Sequence, residues 1–231
     1  MIISSWNIRG INKPYKQKEL KAFLFKNKIT VLGCLETKVK TWNAKKVRIK
    51  IGNDWEVFAN YTHAPNGKIW ILWKTQHVKV KVILAGAQLV HCEVRDKHSD
   101  VTCCLTFVYG YNTIEKRQEI WTQLRQIHSN MVEVWLVLGD FNTMISVSDR
   151  INGNPISQTE VEDFQKCIAD NGLGQLNRKG CQWSWCNKRE DADIIYSNID
   201  WALGNSHWFM KYSSIEAVYE NYEDEEFNQM V

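Results

Sequence analysis

Short apolar runs recur along the chain between polar stretches, and their lengths predict many β-strands with a few helices between them. The alternation of Val78, Val80 and Val82 with lysines indicates a half-exposed antiparallel strand over residues 78–84. Strands are predicted at residues 2–6, 31–35, 55–59, 69–73, 78–84, 89–94, 101–109 and 135–138. Later strands are predicted at 182–186 and 196–203, with a possible further strand at 215–219.

Apolar residues at helical spacing predict helices over residues 16–28 and 115–131. A capping box at residues 159–162 predicts a third helix that ends near Gly172. We find no repeat and no linker, so the chain is interpreted as a single domain over residues 1–231. Strand-rich halves with helices outside favour an α/β four-layer sandwich, in which two mostly antiparallel sheets pack face to face and helices flank them.

The composition fits one folded domain and indicates where in the cell such a protein would occur. The chain has 231 residues, 44% of them hydrophobic, which is enough for a sizeable core. Net charge is only +3, so no strong basic field is expected. The seven cysteines are odd in number and include no Cys-x-x-Cys, which favours reduced, buried thiols of an intracellular protein. Neither a signal peptide nor a membrane span is predicted.

The strand at residues 135–138 is followed by residues whose side chains could take part in catalysis. Gly139 follows it, and then come Asp140, Phe141 and Asn142. The carboxyl end of a buried strand is where layered α/β folds display functional groups. Asp140 can take a proton from water, and Asn142 can donate a hydrogen bond to a phosphate oxygen. Taken alone, a Gly-Asp-x-Asn stretch is more often a simple turn that Asp140 caps.

Other predicted strands end in groups of the same kind. These are Asn7, Glu36, Tyr109, Asn112 and Asp200. Carboxylates and amides without histidine or cysteine favour a hard cation such as Mg²⁺. Hydrolysis of a phosphate ester needs a metal ion, a base for water and donors for the oxyanion. Singly, each residue is more often structural, because strand ends are rich in polar turns.

The same residues fall within short motifs in a fixed order. The motifs are Ser5-Trp6-Asn7-Ile8-Arg9-Gly10, Leu35-Glu36-Thr37, Val108-Tyr109-Gly110, Gly139-Asp140-Phe141-Asn142, Trp183-Ser184-Trp185 and Ile199-Asp200. In this order they resemble the endonuclease/exonuclease/phosphatase superfamily. The chain is most similar to the apurinic/apyrimidinic-type endonuclease domain of plant non-LTR (LINE-type) retrotransposons. The resemblance covers nearly the whole chain and implies a DNase-I-like fold and an Mg²⁺-dependent phosphodiesterase that leaves a 3′-hydroxyl.

The resemblance also implies a role for each residue in the metal half of the site. Glu36 is expected to be the main ligand of Mg²⁺, or of Mn²⁺ as an alternative, with Asn7 beside it. Asp140 is expected to activate or align the attacking water. Asn142 is expected to be the partner of Asp140 on the phosphate.

The phosphate half of the site follows from the same resemblance. Tyr109 and Asn112 are expected to hold the scissile phosphate. Asp200 is expected to orient a histidine supplied by a Ser-Asp-His motif near the end of the domain. Arg9 and Trp185 are expected to be further substrate contacts.

Two positions depart from the family pattern. Glu225-Glu226-Phe227 stands where Ser-Asp-His is expected, and Asn198 stands where an arginine is usual. Phe227 cannot donate a proton or a hydrogen bond, so Asp200 loses its expected partner. The sequence therefore predicts a weakened or inactive endonuclease. Two alternatives stay open, a catalytically silent nucleic-acid-binding remnant and a phosphatase on the same fold.

DNA is the partner that the resemblance implies, held mainly through its phosphate backbone. No membrane partner is expected, a monomer is favoured, and a working nuclease of this kind is expected in the nucleus. Candidate backbone contacts near the motifs are Arg9, Lys13, Lys38, Lys40, Arg117, Arg150 and Lys188. Taken singly, most of these are better explained as solvated surface charges.

Restoring the final motif tests whether the missing histidine is the main defect. The substitutions Glu225→Ser, Glu226→Asp and Phe227→His should raise nicking by on the order of a hundred-fold, because they return one hydrogen-bonding group to the transition state. The measurement is the rate of nicking of supercoiled plasmid with Mg²⁺. Full-strength nicking by the unaltered chain would contradict the prediction, and so would a folded, metal-binding variant that gains no activity.

Overall fold

The computed structural model describes residues 1–189, 193–221 and 228–230. In chain order its strands are β1 (Ile3–Asn7), β2 (Val31–Leu35), β3 (Trp55–Ala59), β4 (Ile69–Lys74), β5 (Val78–Ala85), β6 (Leu89–Asp96), β7 (Thr102–Tyr109), β8 (Trp135–Asp140), β9 (Arg150–Ile151), β10 (Leu173–Gln175), β11 (Asn177–Gly180), β12 (Trp185–Cys186), β13 (Tyr196–Ser197), β14 (Asp200–Asn205), β15 (Glu216–Asn221) and β16 (Asn228–Met230). The helices of these residues are α1 (Pro14–Lys26), α2 (Thr41–Ile51), α3 (Ile114–His128), α4 (Gln158–Asp170) and α5 (Ser206–Lys211).

Most strands belong to two large sheets. The seven-stranded sheet has the order β11-β15-β16-β1-β2-β4-β3, and the six-stranded sheet has the order β10-β14-β8-β7-β6-β5. A small third sheet, β12-β13-β9, was not predicted. The pairs β1/β2 and β7/β8 are parallel. Helix α1 connects the first pair and α3 the second, because parallel neighbours need a crossover connection. Apart from the parallel pair β11/β15, the other pairs are antiparallel, as the sequence predicted.

The two large sheets pack face to face over an apolar core, and helices cover their outer faces. The ring of Phe107 on β7 packs against Gly33 on β2, where an added Cβ would lie 2.0 Å from the ring. Only glycine leaves room for this contact. Helices α1 and α2 cover the seven-stranded sheet, and α3 and α4 cover the six-stranded sheet. The predicted four-layer sandwich is confirmed.

The single strand predicted over residues 196–203 is wrong. Two strands of different sheets occupy this stretch, β13 in the small sheet and β14 in the six-stranded sheet. Between them the hydroxyl of Ser184 accepts hydrogen bonds from the N–H groups of Ile199 and Asp200, at 2.9 and 3.1 Å. These bonds occupy backbone donors that a continuous ladder would have used, so the chain passes from one sheet to the other.

Two helices, α2 and α5, were not predicted, and the start of α4 differs from the prediction. Helix α2 buries only Val47 and Ile51, which is too sparse an apolar pattern to reveal a helix. Helix α4 is capped by Ser157, whose hydroxyl accepts from the N–H of Glu160 at 3.2 Å. The capping box predicted at residues 159–162 is therefore wrong, and the Glu160 carboxylate instead pairs with Arg117.

All seven cysteines are free, and five of them are buried. Burial raises the pKa of the Cys34 and Cys92 thiols well above the usual value, so these thiols stay protonated. Within the described ranges, no helix combines the length and apolar content that crossing a membrane requires.

A buried polar chain links three strands of the six-stranded sheet. The indole N–H of Trp135 donates to the hydroxyl of Thr106 at 2.8 Å, and this hydroxyl lies 2.8 Å from Nδ1 of His91. A hydroxyl that accepts from Trp135 has its own proton to give to Nδ1, which favours the neutral imidazole. Burial lowers the pKa of His91 from 6.5 to about 4.

Stability should therefore fall in acid because of His91. Its pKa is lower in the folded chain than in the unfolded chain, so the unfolded chain binds the proton more readily below pH 6.5. Between pH 7 and pH 5 this group should remove about 2 kcal/mol from the unfolding free energy. Denaturant unfolding at both pH values should show that His91→Gln loses this difference while the exposed His207→Gln keeps it. Equal pH dependence in His91→Gln and the natural chain would contradict the prediction.

Candidate active site at the rim of the two sheets

Strand register brings two carboxylates and a phenol to one edge of the six-stranded sheet. Asp140 on β8 pairs with Tyr109 on β7 at one side and with Asp200 on β14 at the other. Paired residues on neighbouring strands point to the same face and lie about 5 Å apart. The three side chains therefore form a row, as the sequence hypothesis required.

The seven-stranded sheet brings Asn7 and Glu36 to the same rim. Asn7 pairs with Leu35 in the parallel pair β1/β2, and Glu36 follows directly. The amide Nδ2 of Asn7 donates a hydrogen bond to Oδ2 of Asp140 at 2.7 Å. This bond joins the edges of the two sheets, so functional groups from both sheets share one site.

A polar cleft with a volume of about 510 Å³ opens at this rim. Most of the residues predicted from the sequence line it: Asn7, Arg9, Glu36, Tyr109, Asn112, Asp140, Asn142 and Trp185. Asp200 lies next to Asp140 on the neighbouring strand. Four more residues line the cleft, namely Arg150, Glu160, Ser197 and Ile199. Of these four, only Arg150 had been predicted to contact a ligand, namely the backbone of DNA.

Asp140 is held in place from two directions. Besides the bond from Asn7, its Oδ1 accepts from the N–H of Asn142 at 2.9 Å, and the residue is only 4% exposed. Burial raises the pKa of Asp140 to about 6, and the negative charge of Glu36 adds to this. The two hydrogen bonds and the Arg9 guanidinium act in the opposite direction but do not outweigh burial.

The pKa of Asp200 depends on the charge of the neighbouring Asp140. Burial, and then the charge of Asp140, raises the pKa of Asp200 well above its ordinary value, although the Ser184 hydroxyl bond and the Arg178 charge oppose this. The guanidinium of Arg178 stacks on the ring of Tyr219, with its central carbon 3.6 Å from the ring centroid. No sequence signal indicated Arg178, because β11 is short and polar and reaches Asp200 only through the tertiary fold.

The loops that carry the site adopt an unusual backbone conformation. Arg9, Glu36, Lys38 and Asn142 all have positive φ angles, between 49° and 54°. Non-glycine residues rarely adopt this region, and such conformations cluster at functional sites. The Glu36 carboxylate is 2.7 Å from Nζ of Lys38 and is 21% exposed. Its negative charge is therefore matched by an exposed lysine that a bound cation can displace.

Asn142 is positioned by its own amide and by a buried arginine. Its side-chain Nδ2 donates to the carbonyl of Gly110 at 2.8 Å, and its backbone carbonyl accepts from Nη1 of Arg117 at 2.9 Å. Arg117 is only 1% exposed and also pairs with Glu160. The interpretation of Arg117 as a DNA contact is therefore wrong, because this guanidinium is enclosed and supports the loop from behind.

Asn198, which stands where an arginine is usual in the resembled superfamily, forms two hydrogen bonds to neighbouring loops. Asn198 accepts the N–H of Ser184 on Oδ1 at 3.1 Å and donates from Nδ2 to Asp149 at 3.4 Å. It therefore ties two loops together and offers no cation. The stretch 225–227, which replaces the expected Ser-Asp-His, lies outside the described residues.

No family model and no curated protein matches this sequence. Solved structures do match it over almost its whole length. The endonuclease domain of TRAS1, a telomere-specific non-LTR retrotransposon, is 15% identical, with a TM-score of 0.73 over 99% of this chain and 95% of that chain. The endonuclease/exonuclease/phosphatase from Bacteroides vulgatus is 11% identical, with a TM-score of 0.69 over 99% and 95%. The chain has the endonuclease/exonuclease/phosphatase fold.

A phosphatase shares this fold as well. The mannosyl-6-phosphatase of Bacteroides thetaiotaomicron is 9% identical, with a TM-score of 0.64 over 99% of this chain and 97% of that chain. At such low identities the similarity concerns the endonuclease/exonuclease/phosphatase fold and does not choose a substrate.

The donor set at the rim of this endonuclease/exonuclease/phosphatase fold suits Mg²⁺. Among the described residues, no group of three or more His, Cys, Asp or Glu side chains has a metal-binding arrangement. Mg²⁺ needs only one or two carboxylates, however, because it keeps several of its waters. The negative charge of Glu36 raises the pKa of Asp140, and the charge of Asp140 raises the pKa of Asp200. A divalent cation beside Glu36 and the amide oxygen of Asn7 would relieve this repulsion.

Metal binding should depend on Glu36. The substitution Glu36→Gln removes one negative charge from the proposed ligand, so Mn²⁺ affinity should fall at least about tenfold. Isothermal titration with Mn²⁺ measures the change, and the exposed Glu56→Gln, on β3 of the same sheet, serves as the matched control. An unchanged affinity in Glu36→Gln would place the metal elsewhere.

Proposed function

We propose that the protein is an Mg²⁺-dependent phosphodiesterase that nicks DNA, with Mn²⁺ as an alternative cofactor. The observation that carries the proposal is the hydrogen bond from Asn7 to Asp140, which places groups from both sheets at one cleft. Phosphodiester cleavage needs a metal, a base and donors to the phosphate, and this cleft contains candidates for each. The likeness in fold to the TRAS1 endonuclease domain supports the proposal.

Asp140 is the proposed acceptor of the proton from the attacking water. Its pKa of about 6 lies close to neutral pH, where a base can both take up and release a proton. The bonds from Asn7 and Asn142 hold the carboxylate in one orientation. Glu36 and the amide oxygen of Asn7 would hold the metal ion, which supplies positive charge to the phosphate and to water.

Tyr109, Asn112 and Asn142 are the proposed donors to the scissile phosphate. Burial raises the pKa of Tyr109, and the charges of Glu36 and Asp140 raise it further, so the phenol keeps its proton and can donate a hydrogen bond. One N–H of the Asn142 amide is held by Gly110, and this fixes the direction of the second N–H. Asn112 is exposed at the mouth of the cleft, where a strand of DNA would arrive.

Arg150 is the proposed replacement for the arginine that Asn198 does not supply. Its Nε donates to the hydroxyl of Ser197 at 3.0 Å, and Ser197 is fully buried. The guanidinium is thereby held at the wall of the cleft, where a fixed cation can contact a phosphate oxygen. Arg9 lines the same cleft and adds a second positive charge.

Activity is proposed to be low. The metal side of the cleft contains every group that the resemblance implies, whereas the Ser-Asp-His motif is replaced at residues 225–227. Binding a metal ion requires only the first set of groups, but fast cleavage requires both. A chain that binds nucleic acid and never cleaves it is the alternative function, and it differs from the proposal in showing no metal-dependent nicking.

A phosphatase is the second candidate function, because a mannosyl-6-phosphatase has the same fold. Such an enzyme needs a compact basic pocket around a single phosphate group. The cations among the described residues that line the cleft are Arg9 and Arg150, and the aromatic Trp185 and the amide of Asn112 line it beside them. This arrangement favours a strand of DNA over a small phosphate ester.

The proposal predicts slow, metal-dependent nicking. With Mg²⁺ the chain should convert supercoiled plasmid to the open circular form, and with EDTA it should not. Release of phosphate from p-nitrophenyl phosphate should stay at background. The substitution Asp140→Asn removes the proposed base and should lower the nicking rate by about a hundred-fold or more.

The matched control is Asp100→Asn, an exposed carboxylate remote from the cleft, which should nick as fast as the natural chain. Nicking that survives unchanged in Asp140→Asn would defeat the assignment of Asp140 as the base. Phosphate release without nicking would instead favour the phosphatase.

A further inference from the structure

Positive charge is concentrated in the first part of the chain. Residues 1–50 contain 13 Lys and Arg against two acidic residues, which gives a net charge of +11. The other 181 residues contain 16 Lys and Arg against 24 acidic residues, which gives −8. The small total charge of +3 therefore conceals a strongly uneven distribution of charge along the chain, contrary to the expectation that no strong basic field exists.

The fold gathers this charge on one surface. Helices α1 and α2 pack beside each other on the outer face of the seven-stranded sheet, with apolar side chains turned inward. Their outward side chains, together with Lys40 directly before α2, form what we term the basic face. It is made of Lys18, Lys21, Lys40, Lys45, Lys46 and Lys50. None of these six forms an ion pair with a carboxylate of the described residues. Their charges are thus available to an external anion.

A solvent-exposed tryptophan lies within the basic face. Trp42, in the first turn of α2, is 80% exposed, and Lys40, Lys45 and Lys46 are its neighbours on the helix and the preceding loop. An indole this exposed contributes little to the core. Exposed aromatic rings between lysines are the arrangement on which unpaired bases stack while the lysines neutralise phosphates.

The basic face is continuous with the cleft. Lys38, which pairs with Glu36, receives a hydrogen bond on its carbonyl from Nδ2 of Asn12 at 2.7 Å. Asn12 in turn accepts from Nδ2 of Asn43, in the first turn of α2, at 2.9 Å. These bonds fix the start of α2, and with it Trp42, to the loop at the rim.

We propose that the basic face binds single-stranded nucleic acid, with phosphates on Lys45 and Lys46 and an unpaired base on Trp42. A duplex keeps its bases stacked inside and would leave the indole unused. An anionic membrane would meet the lysines as well, but it would not require the continuity with a cleft for phosphodiesters. The inference rests on charge and exposure outside the cleft, and it holds whether or not the cleft hydrolyses its ligand.

The test measures binding by fluorescence anisotropy with the full chain in EDTA, so that no cleavage interferes. The probes are labelled oligothymidylate and oligouridylate of about 15 nucleotides, and a duplex of equal length. Both single strands should bind more tightly than the duplex. A preference for thymidylate over uridylate, or the reverse, separates DNA from RNA as the natural ligand.

Two variants separate charge from stacking. Lys45→Ala/Lys46→Ala should weaken binding of the single strands about tenfold near 0.1 M salt and reduce the slope of log affinity against log salt by about 1.4, because two phosphate contacts are lost. Trp42→Ala should weaken binding about fivefold or more and leave the slope unchanged. All these side chains are exposed, so circular dichroism and thermal unfolding should match the natural chain.

The matched control is Lys79→Ala/Lys81→Ala, which removes two exposed lysines of β5, an edge strand of the other large sheet. It should bind as the natural chain does. An equal loss in this control, unchanged binding in Lys45→Ala/Lys46→Ala, or a preference for phosphatidylserine vesicles over oligonucleotides would overturn the inference. A chain that binds in EDTA but never nicks would contradict only the proposed function.

Discussion

The hydrogen bond between Asn7 and Asp140 is the interaction on which the cleft depends. It joins two strands that lie in different sheets and 133 positions apart in the sequence. The bond requires the two sheets to approach closely, which Gly33 permits because the Phe107 ring occupies the space of a side chain. A packing contact in the apolar core therefore sets the spacing of polar groups at the rim.

The same closeness creates the electrostatics of the site. Asp140 and Asp200 are neighbours in the strand register; Asp140 is buried and Asp200 is half-buried. Desolvation is the largest cause of the raised pKa at each carboxyl, and mutual repulsion adds to it. Arg9 and Arg178 offset only part of this, so the rim favours a further positive charge. The fold thus creates an attraction for cations before any ligand arrives.

Much of this was accessible from the sequence, and the rest depends on tertiary structure. Strands such as residues 31–35 and 135–138 were predictable because each is a continuous apolar run closed by polar residues. Their convergence could be inferred only from the order of the motifs, because local periodicity does not specify which strands pair. Arg117 carries no mark in the sequence that distinguishes a buried clamp from a surface charge. Helix α2 was missed because it buries only Val47 and Ile51 and also exposes Trp42 and Ile49, so its apolar residues form no clear stripe.

The positive φ angles of Arg9, Glu36, Lys38 and Asn142 have a consequence for how such a chain would respond to selection. Each costs a non-glycine residue about 1 kcal/mol relative to a relaxed backbone. Glycine at any of these positions would relax the backbone while deleting the side chain that faces the cleft. Screening variants for heat resistance alone would therefore enrich changes that dismantle the rim. A thermostable descendant of this protein could retain its sandwich intact and yet lack the chemistry for which its loops are bent.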